Sequence, residues 1–261
     1  MKTVILCGGY GTRIRDVSEN IPKPMIPIGN YPILWHIMKY YSVYGYKDFI
    51  LCLGYKSNII KDFFLNYEQR LDDITIEFGK GIIDLHKGKT DELGWRITMV
   101  ETGLNAMTGA RVRRIKKYIG KDSYFMLTYG DGVGNVDIDA LVAFHQKHGK
   151  MVTVTGVRPP GRFGELGIAA DGQTVVGFNE KPQASGGRIN GGFFVCNREF
   201  LDLLNDDECL VLEQEPMKKL VEMGELKVFE HNGFWQPMDT SREFSLLNDL
   251  YNKGEAPWVT W

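Results

Sequence analysis

A loop of unusual composition, Gly8-Gly9-Tyr10-Gly11-Thr12-Arg13, follows a short apolar run from Thr3 to Cys7. Its glycines permit φ values closed to other residues and let backbone N–H groups turn inward, where they can cradle phosphate oxygens. Arg13 and, further on, Lys23 add two cations that amides cannot supply. Spacing excludes two familiar phosphate motifs: a dinucleotide GxGxxG needs glycine where Ile14 stands, and GxxxxGK[ST] occurs nowhere in the chain. A tight turn carrying surface bases is the plainer account of the same residues.

Carboxylates supply the complementary half. Asp131 sits between Gly130 and Gly132 at the end of the apolar run Tyr124 to Thr128, so its side chain projects from a strand end toward the same crevice as the first loop, unless it is simply a turn aspartate. Asp239 follows the strand-like Phe234-Trp235 and precedes Thr240-Ser241-Arg242-Glu243, a capping-box pattern that opens a helix. Two aspartates without clustered His or Cys suit a hard, oxygen-seeking ion such as Mg²⁺ rather than zinc.

Other polar groups compete for attention. Glu180-Lys181-Pro182 and Asn190-Gly191-Gly192 are able to bind sugar hydroxyls and neutralise a phosphate, or to be a charged loop and a glycine bulge. In the basic run Arg111 to Lys117, Val112 and Ile115 point inward and most cations form a solvated helix face, leaving Arg111 as the ligand candidate. His145 and His148 lack a third ligand nearby and read as surface or satisfied histidines. Cys7, Cys52, Cys196 and Cys209 have no CxxC spacing, and no GxSxG elbow is present.

These residues need a scaffold. The 261 residues are 43% apolar, 25% charged and 12% aromatic, enough for a sizeable core in one or two domains. A net charge of -2 gives no whole-chain attraction to nucleic acid or to anionic membrane. No apolar run approaches the roughly 18 residues that span a bilayer, and the expected location is the cytoplasm. Strand-like runs (3–7, 49–53, 124–128, 151–157) alternate with helical patterns (33–41, 57–64, 112–119, 136–144), which predicts an α/β fold with a mostly parallel central sheet covered on both faces. Ile74 to Val100 alternates like antiparallel strands, and 168–176 predicts a hairpin about Asp171-Gly172.

Taken in order, Gly8-Gly9-x-Gly11-Thr12-Arg13, Lys23-Pro24, Gly130-Asp131-Gly132, Glu180-Lys181-Pro182, Asn190-Gly191-Gly192 and Asp239 resemble the sugar-phosphate nucleotidyltransferase family. The tracts YPILWHIM (31–38), MTG (107–109), PPGRFG (159–164), FWQPMDT (234–240) and APW (256–258) are similar to its branch acting on CTP and glucose 1-phosphate, and the similarity runs from Met1 to Trp261. The resemblance implies a Rossmann-like nucleotidyltransferase fold in one domain, with a nucleotide-binding half (1–157) and a sugar-phosphate half (158–261). It also implies Mg²⁺, a homo-oligomer, and a CDP-glucose product feeding dideoxysugars of surface polysaccharides such as O antigen. Carried over by position, Leu6, Gly8, Gly9, Tyr10, Gly11, Thr12, Arg13, Lys23, Ala106, Arg111 and Gly130 would hold the nucleotide. Glu180, Lys181 and Asn190 would face the sugar phosphate, Asp131 and Asp239 would bind the metal, and Arg13, Lys23 and Asp131 would carry the chemistry. Where the family pattern has a small hydroxyl residue beside the nucleotide, this chain reads Leu104-Asn105-Ala106.

Phosphoryl chemistry agrees with this set. An attacking sugar phosphate is already ionised at neutral pH, so cations and oriented amides are needed and no catalytic histidine is expected. A nucleotidyltransferase for another sugar or base is the nearest rival. A non-catalytic nucleotide-sugar sensor has no need of both metal ligands and both phosphate cations, and Ile14 disfavours a dinucleotide oxidoreductase.

Overall fold

In β1 (Lys2–Leu6) Val4 and Leu6 belong to one core cluster and Ile5 to the other, and all three are buried. A strand with apolar side chains on both faces must be covered from both sides. The computed structural model describes residues 1–11, 14, 20–86, 92, 94–159, 165–170, 173–179 and 187–261. After β1 come β2 (Asp48–Leu53), β3 (Asp73–Glu77), β4 (Ile82–His86), β5 (Arg96–Glu101), β6 (Tyr124–Tyr129), β7 (Gly132–Gly134) and β8 (Val152–Val157). The second half adds β9 (Glu165–Ile168), β10 (Val175–Asn179), β11 (Ile189–Asn190), β12 (Phe194–Asn197), β13 (Leu226–His231) and β14 (Trp235–Pro237). Between them lie α1 (Ile33–Val43), α2 (Ser57–Leu65), α3 (Thr108–Arg114), α4 (Ile138–His148) and α5 (Glu215–Glu222), and α6 (Ser241–Asn252) follows β14.

Among the described residues the central sheet has eight strands. β6, β1, β2 and β5 are parallel neighbours. Beyond β6, β12 pairs antiparallel with both β6 and β8, while β8 takes β11 antiparallel and β13 parallel. Residues of α1 and α4 pack in the cluster containing Ile5, whereas residues of α3 and α5 pack in the one containing Val4 and Leu6. The chain is therefore a mixed α/β protein with a largely parallel central sheet and helices on both faces, as expected. Each fully buried Ile, Leu or Phe contributes roughly 1.5–3 kcal/mol, so the two clusters supply the rigidity on which the loops depend.

The alternation from Ile74 to Val100 predicts antiparallel strands throughout, and the structure corrects this. β3 and β4 do form an antiparallel hairpin, but β5 runs parallel to β2 in the main sheet. Parallel neighbours need a crossover, and the segment containing α2 is long enough to provide one. The predicted hairpin after Pro160 is present as β9 and β10, with Asp171 and Gly172 outside the described residues. No helix among the described residues is long and apolar enough to cross a membrane.

Two histidines close a directional chain beside β8. The Lys150 N–H donates to His148 Nδ1 (2.8 Å), and His148 Nε2 and His145 Nδ1 both meet Thr153 Oγ1 (2.7 and 2.8 Å). His145 Nε2 meets Asn197 Oδ1 at 2.8 Å. One proton arrangement satisfies every contact with neutral rings: His148 Nε2–H donates to Thr153, whose hydroxyl donates to His145 Nδ1, leaving His145 Nε2–H for Asn197. Burial pushes both imidazoles below their ordinary value, and it pushes the buried His36 down to about 4. A group whose folded pKa is lowered contributes stability above its unfolded value of about 6.5 and loses it as pH falls toward the folded value. The unfolding free energy from urea titrations is therefore expected to fall between about pH 6.5 and 4, by about 3 kcal/mol for His36 alone. A flat profile over that range would contradict the neutral assignment.

Candidate active site

Parallel register brings four strand ends to one edge. Leu6 pairs with both Cys52 and Tyr129, and Leu53 pairs with Glu101. The segments leaving those ends (7–11, 54–56, 102–107 and 130–131) therefore surround one crevice, the usual ligand position in such sheets. A cleft of about 430 Å³ occupies it, lined by the glycine loop from Leu6 to Gly11, by Leu104 to Thr108, and by Lys23, Asp131 and Asp239. Tyr10 donates its hydroxyl hydrogen to Asn105 Oδ1 (2.8 Å), tying one wall to the other.

Two glycines of the loop are dictated by geometry. Gly11 has φ +61°, in the left-handed region that favours glycine. A Cβ at Gly8 would lie 2.2 Å from the Arg111 guanidinium, which presses against the loop from below. Arg111 is buried and donates to the carbonyl oxygens of Gly8, Leu53, Gly103 and Leu104 and to Thr102 Oγ1, at 2.8–3.3 Å. Burial lowers its pKa. Its hydrogen bonds thus weld the glycine loop to the opposite wall. Three other cations of the basic run form ion pairs: Arg113 with Asp206, Arg114 with Glu208 and Lys116 with Asp202.

Asp131 and Asp239 are far apart in sequence and meet through a small ladder. β14 pairs antiparallel with β7, Pro237 opposite Gly132, and the Met238 N–H donates to the Asp131 carbonyl (2.8 Å). The capping box forms as the sequence predicts, with Glu243 Oε2 accepting from the N–H groups of Asp239 (2.7 Å) and Thr240 (2.9 Å). Lys23, which begins a 3₁₀ turn ending at Met25, extends its ammonium between the two carboxylates. Nζ lies 2.5 Å from Asp131 Oδ2 and 2.5 Å from Asp239 Oδ1, so those oxygens are at most 5 Å apart. Burial alone would lower the Lys23 pKa, but the two carboxylates outweigh it and hold it above its ordinary value.

A divalent ion fits this donor set. The two aspartate oxygens already converge on one positive charge, and among the described residues there is no cluster of three or more His, Cys, Asp or Glu. Mg²⁺ usually takes one or two carboxylates and completes its shell with phosphates and water. Cys7 lines the same cleft, and burial holds its thiol well above its ordinary pKa, so it is no thiolate nucleophile.

Leu6, Gly8, Gly9, Tyr10, Gly11, Lys23, Ala106, Arg111, Gly130, Asp131 and Asp239 all line the cleft. Thr12, Arg13, Glu180 and Lys181 lie outside the described residues. Asn190 is exposed on β11, its Nδ2 donating to the Tyr129 hydroxyl (3.0 Å) and its Oδ1 accepting from the Gly192 N–H (2.9 Å). Sequence reasoning missed Thr108 and Tyr129 on the cleft wall; Tyr129 adjoins the Gly130-Asp131 motif, and that adjacency was the available signal.

The nucleotidyl transferase family profile matches residues 2–244. Glucose-1-phosphate cytidylyltransferase of Salmonella typhimurium is 50% identical over 261 residues, covering 100% of both chains. A probable glucose-1-phosphate cytidylyltransferase of Bacillus subtilis is 44% identical over 261 residues, again covering 100% of both. Among solved structures, HddC from Yersinia pseudotuberculosis aligns with TM-score 0.70 at 23% identity, covering 96% of this chain and 99% of that one, a likeness of fold.

Proposed function

The chain belongs to the nucleotidyl transferase family, and on that footing we propose that it joins CTP to α-D-glucose 1-phosphate, forming CDP-glucose and releasing pyrophosphate. The observation that carries this reading is the Lys23 ammonium held between Asp131 and Asp239 at the cleft bounded by the glycine loop. Two polyanions repel each other, and a site that presses them together needs concentrated positive charge and oriented N–H groups more than it needs an acid or a base.

In this reading the loop from Leu6 to Arg13 binds the triphosphate, with Ala106, Arg111 and Gly130 completing the nucleotide side. Glu180, Lys181 and Asn190 hold the sugar phosphate. An ionised oxygen of glucose 1-phosphate forms a bond to the α-phosphorus, the bond from that phosphorus to the α–β bridging oxygen breaks, and pyrophosphate leaves with the electron pair. No proton moves. Lys23 and Arg13 neutralise the reacting phosphates and keep the two substrates in line, replacing a bimolecular encounter by a positioned one. Asp131 and Asp239 would hold Mg²⁺ in place of the Lys23 ammonium that lies between them here, freeing Lys23 for the phosphates, and the ion when bound would supply further positive charge at the triphosphate. Both substrates are anionic metabolites of the cytoplasm, where the reading places the protein. It also includes assembly of several copies, because the β3–β4 hairpin exposes Ile74, Ile76 and Ile83 on one face and Phe78 at its turn.

A pyrophosphate-release assay crossing CTP, UTP, dTTP, ATP and GTP with several hexose 1-phosphates tests the proposal. CTP with glucose 1-phosphate is expected to give the highest kcat/KM. A higher value for another base or sugar would reassign the substrate, and no release from any pair would reject the reaction.

A further inference from the structure

A hydrogen-bonded chain crosses the cleft wall through Tyr129 and Thr108. The Tyr129 hydroxyl donates to Glu213 Oε1 (2.5 Å), and the Thr108 hydroxyl donates to Glu213 Oε2 (2.7 Å). Each hydroxyl also accepts one bond, Tyr129 from Asn190 Nδ2 (3.0 Å) and Thr108 from the Leu212 N–H (2.9 Å). Asn190 is itself oriented by the Gly192 N–H on its Oδ1. Tyr129 and Thr108 line the cleft.

The inventory of protons gives this chain a direction. An ionised carboxylate only accepts, and a hydroxyl has one hydrogen to give. With both hydrogens committed to Glu213, Tyr129 and Thr108 can offer the cleft only a remaining lone pair. A ligand group meeting them must then be a donor, O–H or N–H, whereas a phosphate oxygen meets two acceptors backed by a negative charge. Lys23, between Asp131 and Asp239, offers the opposite polarity elsewhere in the same cleft.

We propose that Glu213 is a positioning residue that fixes the Tyr129 and Thr108 hydroxyls as acceptors, so that this part of the cleft takes sugar hydroxyls and turns phosphate away toward Lys23. The inference rests on the reading of the cleft as a nucleotide and sugar-phosphate site and deepens it. Tyr129 is the sugar contact, because its partner Asn190 stands on the strand assigned to the sugar side. Nothing in the amino-acid sequence marks Glu213, which lies 84 residues from Tyr129 and 105 from Thr108.

The test uses the intact chain and the variants Glu213→Gln, Glu213→Ala and Tyr129→Phe. Glutamine keeps the shape but brings its own N–H₂, so one of the two hydroxyls must accept from it and turn its hydrogen into the cleft. Loss of an oriented hydrogen bond to a substrate hydroxyl is expected to raise KM for glucose 1-phosphate by about tenfold in each variant, with KM for CTP changed by less than about threefold. A set of monodeoxy-glucose 1-phosphates supplies a readout that a merely structural role does not move. The parent discriminates against at least one of them, and Glu213→Gln and Tyr129→Phe are each expected to discriminate less.

Equal rises in both KM values together with a lower thermal midpoint, or unchanged discrimination among the deoxy sugars, would overturn the proposal. Should Glu213→Ala fail to fold, the same comparison is made with Tyr129→Phe. Failure of the functional reading is distinguishable, since in that case the parent itself releases no pyrophosphate from CTP and glucose 1-phosphate.

Discussion

Asp131→Asn is expected to lower kcat by roughly a hundredfold or more, the order of losing one preorganised electrostatic group. Asparagine has the same shape, and the backbone carbonyl of residue 131 that accepts from Met238 is untouched, so β7 and β14 remain paired. What disappears is one of the two negative charges that converge on Lys23 and, in the proposed enzyme, on Mg²⁺. Pyrophosphate release at saturating CTP and glucose 1-phosphate, followed across a Mg²⁺ series, measures the effect. Turnover close to the parent's at saturating Mg²⁺ would remove Asp131 from the metal site.

Lys23→Ala is expected to lower kcat/KM by a comparable roughly hundredfold or more, because the cation neutralising the reacting phosphates is gone. A second consequence is separable from turnover. Without the ammonium, Asp131 Oδ2 and Asp239 Oδ1 face each other as like charges across at most 5 Å. Their side chains are 33% and 21% exposed, so solvent screens much of the repulsion. A loss of order 1 kcal/mol, about 2–4 °C in thermal midpoint for a chain of this size, is expected in metal-free buffer. Millimolar Mg²⁺ or Mn²⁺ should raise the variant's midpoint by more than the parent's, since in the parent the ion must displace the lysine from between the carboxylates. A midpoint indifferent to metal, with turnover near the parent's, would overturn both parts.

Much of this site is local and hence legible. The glycine loop follows a buried strand, Asp131 stands between glycines at a strand end, and the Thr240–Glu243 capping box forms where the sequence predicts it, directly after Asp239. Each depends on residues a few positions apart, where turn chemistry and helix-end hydrogen bonding decide the geometry. Arg111 is a mixed case. Sequence marks it as the ligand candidate of its basic run, and it does line the cleft, but only the folded chain reveals that its hydrogen bonds go to four carbonyls and a hydroxyl of the walls. The expectation for Ile74 to Val100 misses the direction of β5, since alternation of apolar residues is the same in parallel and antiparallel strands and the partner decides between them.

Residue order alone determined which groups the protein owns and how each sits on its own element: a glycine-rich turn, a lysine after it, and carboxylates at the ends of two apolar strands. Only the tertiary structure decided which of them meet. Lys23, Asp131 and Asp239 converge because β14 pairs with β7 across about a hundred residues, and Glu213 reaches Tyr129 and Thr108 because the chain beyond β12 returns to the start of α3 and the end of β6. Contacts at such separations are selected by burial and shape complementarity of the whole core, and that free energy is a property of the assembled elements rather than of any short segment.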